Sequence, residues 1–152
     1  ENMRDDNKKF TPAVEVNAIA NPLIEKHHSH LINAKILFVF KEGKWNSGGK
    51  PRAGEVKCLS PLMATIAELD FCIVINHKYW AMLDDHFRTI LIDHFLSCCD
   101  FKEGKDGELK WCKTAPPTLE FPQVVGRYGS YNEDLKEMER SMREFADKKG
   151  NN

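Results

Sequence analysis

At 152 residues, 41% of them hydrophobic and 30% charged, the chain has the length and balance of one ordinary globular domain with one sizeable core. A formal net charge of −1 favours neither a nucleic-acid binder nor an acidic mimic of nucleic acid. No apolar run approaches the roughly 20 residues of a membrane span, and the charged start from Glu1 to Asp6 predicts no secretory signal. Five cysteines without such a signal predict reduced thiols in a cytosol.

In chain order, residues 1–10 are polar and read as a flexible segment, and a single domain is expected over 11–148 with a tail at 149–152. Thr11-Pro12 can cap and open a helix on which Val16, Ile19, Ala20, Leu23 and Ile24 recur at helical spacing. Pro22 predicts a kink or break near Asn21. His27, His28 and His30 read as the polar end of that helix. Ala34 to Lys41 is a strand, rich in β-branched and aromatic residues. The connection from Lys41 to Gly54 is glycine-rich and basic, with Lys44, Trp45 and Arg52 as candidate binding residues.

Glu55 to Leu59 is a short strand, and Ser60-Pro61 opens a helix to about Glu68. Phe71 to Asn76 is continuously apolar up to its last residue, which predicts a central strand covered on both faces. Asp84 caps the next helix, expected to run to about Cys99 with Phe87, Ile90, Leu91, His94 and Cys98 on its packed face. Phe101 to Gly107 reads as a charged turn region and Glu108 to Lys113 as a strand. Pro116-Pro117 breaks any regular element, Phe121 to Tyr128 is a short helix stopped by Gly129, and Asn132 caps the last helix. That helix carries a narrow stripe of Leu135, Met138, Met142 and Phe145. The order of elements is α+β: a single domain with a small, mainly antiparallel sheet packed against helices, and a C-terminal helix.

The stretch Asp93-His94-Phe95-Leu96-Ser97-Cys98-Cys99 carries the chemistry. A zinc peptidase helix of the H-E-x-x-H type places two imidazoles at i and i+4, on one helical face, and uses the intervening Glu as general base. Here that frame holds His94, Phe95 and Cys98. The flanking words run Asp70 to Asn76, Tyr79 to Asp85, Arg88 to His94, Lys110-Trp111, Leu119 to Val125 and Arg127 to Gly129. Their order and spacing resemble the phage metallopeptidases, a zincin-like family of bacteriophage and prophage genomes, over about Ala13 to Ala146.

The resemblance implies a helix reading D-H-E-L-C-H-C. Asp93, His94, Leu96 and Cys99 match it. Phe95 stands where the general base is expected, Ser97 where a cysteine is common, and Cys98 where the second histidine ligand is expected. A further family histidine lies shortly before an E-E-F word, and Thr114 to Thr118 holds none. Phe cannot accept a proton, and removing a general base costs about 10²–10⁴-fold in rate.

Three readings follow. The favoured one is a catalytically inactive, metallopeptidase-like protein that binds a host or phage protein in the cytoplasm of the infected bacterium. It would act as a host-takeover or anti-defence inhibitor, such as an anti-CRISPR or anti-restriction factor, with no cofactor and no membrane. The second is a zinc protein or divergent metallohydrolase with His94 and Cys98 as ligands, joined by Cys99 or Cys112. The third is a nucleic-acid binder using the basic connection at 41–52. A homodimer through the C-terminal helix is a further expectation.

Overall fold

The apolar run Phe71–Asn76 forms the middle of the larger sheet in the computed structural model, which describes residues 9–116 and 119–150. The chain forms two compact units, residues 1–114 and 115–152. The mixed helix and strand content, with a C-terminal helix, is the α+β order expected from the sequence. Residues 1–8 of the expected flexible segment, Pro117 of the expected break with the following Thr118, and residues 151–152 of the tail lie outside the described residues.

In the first unit, β1 (Phe10–Pro12), β2 (Ile36–Lys41), β5 (Gly54–Cys58) and β6 (Phe71–Asn76) form one sheet in the order β1-β2-β6-β5. Two of its three pairings are antiparallel, β1 with β2 and β5 with β6, while β2 and β6 run parallel. Flanked on both sides, β6 buries Phe71, Ile73, Val74 and Ile75. Between β2 and β5, the two-residue strands β3 (Asn46–Ser47) and β4 (Lys50–Pro51) make a hairpin. Its turn holds Gly48 at φ +60° and Gly49 at φ +79°, a pair of left-handed positions that only glycine adopts at low cost.

Thr11 and Pro12 do not open the first helix. They pair with Phe40 and Val39 in an edge strand, where proline's missing N–H costs no ladder bond. The helix is α1 (Val14–His27), and it continues through Pro22 without a break. Burial of Val16 and Leu23 contributes about 1.5–3 kcal/mol each, enough to offset the roughly 3 kcal/mol of an interior proline.

Ser60 accepts a hydrogen bond from the Met63 amide and starts α2 (Pro61–Ala67). After β6 comes a short helix that the sequence pattern did not reveal, α3 (His77–Ala81), capped by Asn76. Asp84 accepts from the Phe87 amide and caps α4 (Asp85–Ser97). The chain then enters β7 (Cys99–Glu103), paired with β8 (Leu109–Lys113), so the expected turn region from Phe101 is half strand. Phe101 lies opposite Trp111 in that hairpin, and Trp111 meets Phe71 edge-on with ring centres 5.8 Å apart. This aromatic contact ties the hairpin to the sheet, which explains why a charged segment is ordered as a strand.

The packed face of α4 differs from the expected one. Ile90, Ile92, Asp93, Phe95, Leu96 and Ser97 are buried, whereas Phe87 is exposed and His94 half-buried. The cause is a partner the sequence pattern did not reveal. His28 is buried, not part of a polar helix end, and its Nε2 donates to Asp93 Oδ1 at 2.6 Å. That hydrogen bond joins α1 to α4 across 65 residues of sequence.

In the second unit, α5 (Pro122–Tyr128) stops at Gly129, which has φ +71°, and α6 (Glu133–Gly150) starts where Asn132 Oδ1 accepts from the Leu135 amide at 2.8 Å. Buried Glu120 accepts from the Phe121 amide at 2.8 Å and from the Tyr131 hydroxyl. This carboxylate holds the two ends of the α5 segment together.

His28→Ala removes an imidazole hydrogen-bonded to a fully buried carboxylate and is expected to cost about 1–3 kcal/mol. The exposed neighbour His27→Ala should stay within about 0.5 kcal/mol. Equilibrium urea denaturation of both variants checks the difference.

Candidate functional site

The chemistry-bearing residues gather where α4 ends and β7 begins. His94 lies in the last turn of α4, and Cys98 is its C-cap, with the Cys98 amide donating to the His94 carbonyl at 3.2 Å. Their i, i+4 spacing stacks them on one side of the helix, as a ligand pair requires. Between them, Phe95 turns the other way. It is buried, and its ring lies against Gly54 of β5: a Cβ on Gly54 would sit 2.7 Å from Phe95 Cζ and 2.5 Å from the Val74 carbonyl oxygen. Glycine at 54 thus gives the Phe95 ring its seat on the sheet.

The candidate thiols have separate duties. Cys99 is fully buried and its Sγ donates to the Phe95 carbonyl at 3.5 Å. Burial pushes its thiol well above the ordinary range, and the neighbouring Cys98, Cys58 and Asp100 add to the effect. Cys112 sits on β8 opposite Asp100 of β7. Cys58, on β5, was not singled out in the sequence, yet its Sγ donates to the Trp111 carbonyl at 3.3 Å. Its thiol is raised by burial first, then by Cys112 and Asp70. Electrostatic coupling therefore places Cys58, Cys98, Cys99 and Cys112 in one neighbourhood, all as free thiols. No local motif could announce this, because Cys58 is 40 or more residues from the others.

A zinc site needs thiolates or neutral imidazoles converging at about 2.0–2.3 Å on one point. Among the described residues, no group of three or more His, Cys, Asp or Glu side chains is arranged to hold a metal ion. A thiol held protonated by burial is the wrong form for a ligand. The donors present around His94 and Cys98 do not fit the ion that the helix motif implies.

The family model described as putative phage metallopeptidase matches residues 8–146. The chain belongs to that family. No curated protein and no solved structure matches it. The family match runs through the α4 segment in which Phe95 and Cys98 stand. No helix of the described residues is long and apolar enough to cross a membrane.

The other candidate residues converge on one ring. The Lys41 ammonium lies 4.4 Å from the centre of Trp45, and the Arg52 guanidinium carbon 5.6 Å. Arg52 also donates to the Gly54 carbonyl at 3.2 Å and pairs with Glu55 at 3.5 Å. Lys44 is exposed beside Trp45.

The raised thiols make stability depend on alkaline pH. Cys99 stays protonated in the folded chain while the unfolded thiol ionises near pH 8.5. Its contribution is whole below that pH and is lost as pH rises toward the folded value, at no more than about 1.4 kcal/mol per pH unit. Urea midpoints taken at pH 8, 9 and 10 should fall steadily, and the fall should flatten in Cys99→Ala.

Proposed function

We propose that this phage metallopeptidase family member is catalytically silent and acts by binding another protein. The observation that carries the reading is Phe95. The position that the family resemblance assigns to the general base holds a buried phenyl ring packed on Gly54. A ring there can neither take a proton from water nor leave room for one. The donors around His94 do not form a zinc-ligand set among the described residues, so base and metal support are missing together.

Binding is supported by what the surface leaves open. Every residue of α2 escapes burial, and three of them are large and apolar: Leu62, Met63 and Ile66, exposed by 69%, 49% and 68%. A lone exposed apolar side chain is ordinary, but three on two turns of one helix form the kind of patch that marks a protein interface. The second unit adds exposed Met142 and Phe145 on α6. The partner is a host or phage protein met in the cytoplasm of the infected bacterium, and the effect is inhibition, as in an anti-defence factor.

Metal analysis and a lysate pull-down test the two halves separately. Protein purified without a metal-affinity tag is expected to hold no stoichiometric zinc and to leave casein intact. Zinc near one per chain that is lost in His94→Ala, Cys98→Ala would overturn the silent reading in favour of a metalloprotein. The bacterial protein captured by the native chain should be lost when Leu62, Met63 and Ile66 are all changed to Lys, a surface change expected to leave folding intact. Capture of nothing specific, or capture indifferent to the triple change, would overturn the binding reading at this face.

A further inference from the structure

The basic connection at 41–52 does not stand alone in the fold. Asn76, at the end of β6, donates its side-chain amide to the Arg52 carbonyl at 2.8 Å and accepts from the Tyr79 amide. One buried residue therefore pins the connection beside α3. The result is a recess of about 210 Å³ whose wall includes Lys44, Trp45, Asn46, Lys78, Tyr79 and Met82. A neighbouring recess of about 350 Å³ shares Gly43, Lys44 and Lys78 with it. Lys78 and Tyr79 are 34 residues beyond Lys44 and Trp45, so no sequence window joins them.

The charges around these recesses are one-sided. Glu42 is engaged by His77, and Glu55 by Arg52 and Lys57. No carboxylate among the described residues pairs with Lys44 or Lys78, both of which are exposed. Beside them stand two half-buried aromatic rings, Trp45 and Tyr79. The Trp45 ring is steadied by Lys41 and Arg52, and this lowers the entropy lost when a flat ligand meets it. Two free ammonium groups beside a pair of aromatic walls match one chemistry: a phosphate for the lysines and a flat ring for the aromatics. An acidic peptide would use the lysines and leave the rings idle.

We propose that this recess binds a nucleoside phosphate, its base against Trp45 and Tyr79 and its phosphate at Lys44 and Lys78. The ligand is either a free mononucleotide or one unit of a single-stranded nucleic acid. The site lies apart from the α4 helix, and it holds or falls independently of the protein-binding reading.

Fluorescence anisotropy with labelled single-stranded dodecamers of thymidylate and uridylate, and competition by AMP, test this on the intact chain. The native protein is expected to bind, and two phosphate contacts on a single strand predict about sevenfold weaker binding from 50 to 200 mM salt. Lys44→Glu with Lys78→Glu should weaken binding at least about tenfold, while Lys102→Glu with Lys105→Glu, the same charge change on the β7–β8 hairpin, should weaken it far less. Trp45→Ala should lose about 5- to 160-fold, the worth of one base–aromatic stack. Thermal melts of each variant establish that it is folded. Competition by AMP at a concentration matched in nucleotide units assigns the site to a free nucleotide, and a large advantage of the dodecamers assigns it to a single strand. Absence of binding to both probes overturns the proposal. So does loss to the Lys102, Lys105 pair as large as to the Lys44, Lys78 pair, or displacement by polyglutamate with no effect of Trp45→Ala, since both describe a plain polyanion surface.

Discussion

The buried hydrogen bond between His28 and Asp93 is the constraint around which the first unit is organised. A carboxylate with no solvent exposure is costly unless its oxygens are engaged, so α4 must present Asp93 to α1. That sets the rotation of α4 about its own axis. With Asp93 turned toward α1, Leu96 and Ser97 follow it at i+3 and i+4, and Phe95, about 160° round the helix, is buried on the opposite side against Gly54. His94, about a hundred degrees from either neighbour, is left half out.

This rotation is the physical reason why position 95 of the helix faces the sheet. The scaffold needs Asp93, Leu96 and Cys99 for packing. The catalytic position needs only space, a base and converging ligands. The buried phenyl ring at 95 contributes apolar burial worth about 1.5–3 kcal/mol. Cys99 closes the same end of the helix by donating to the Phe95 carbonyl, and burial keeps its thiol protonated. At this end of α4 the side chains at 95 and 99 serve packing. The open surfaces lie elsewhere: apolar on α2, and basic with aromatic walls where the 41–52 connection meets α3.

Much of the architecture was legible from local signals. Ser60-Pro61 and Asp84 are helix starts whose side chains accept the expected backbone hydrogen bonds. Phe71 to Ile75 is a central strand because no exposed face could tolerate five such residues in a row. Where reading failed, a distant partner had overruled the local signal. Pro12 was taken by an edge strand, Phe101 by the Trp111 pairing, and His28 by Asp93. The candidate site shows the same division. His94 and Cys98 are a ligand pair by spacing alone, but spacing says that two residues share a face and not what that face meets.

The amino-acid sequence by itself determined the family, the α+β order, the caps and the presence of a phenyl ring at position 95, because each of these is written in residue identity over fewer than ten positions or in the order of such words. Only the tertiary structure decided which side of α4 is buried, which thiols are neighbours, and that Lys78 and Tyr79 complete a recess with Lys44 and Trp45. Those outcomes depend on contacts between segments tens of residues apart. They are settled by which arrangement buries the apolar faces while leaving no polar group such as Asp93 without a partner.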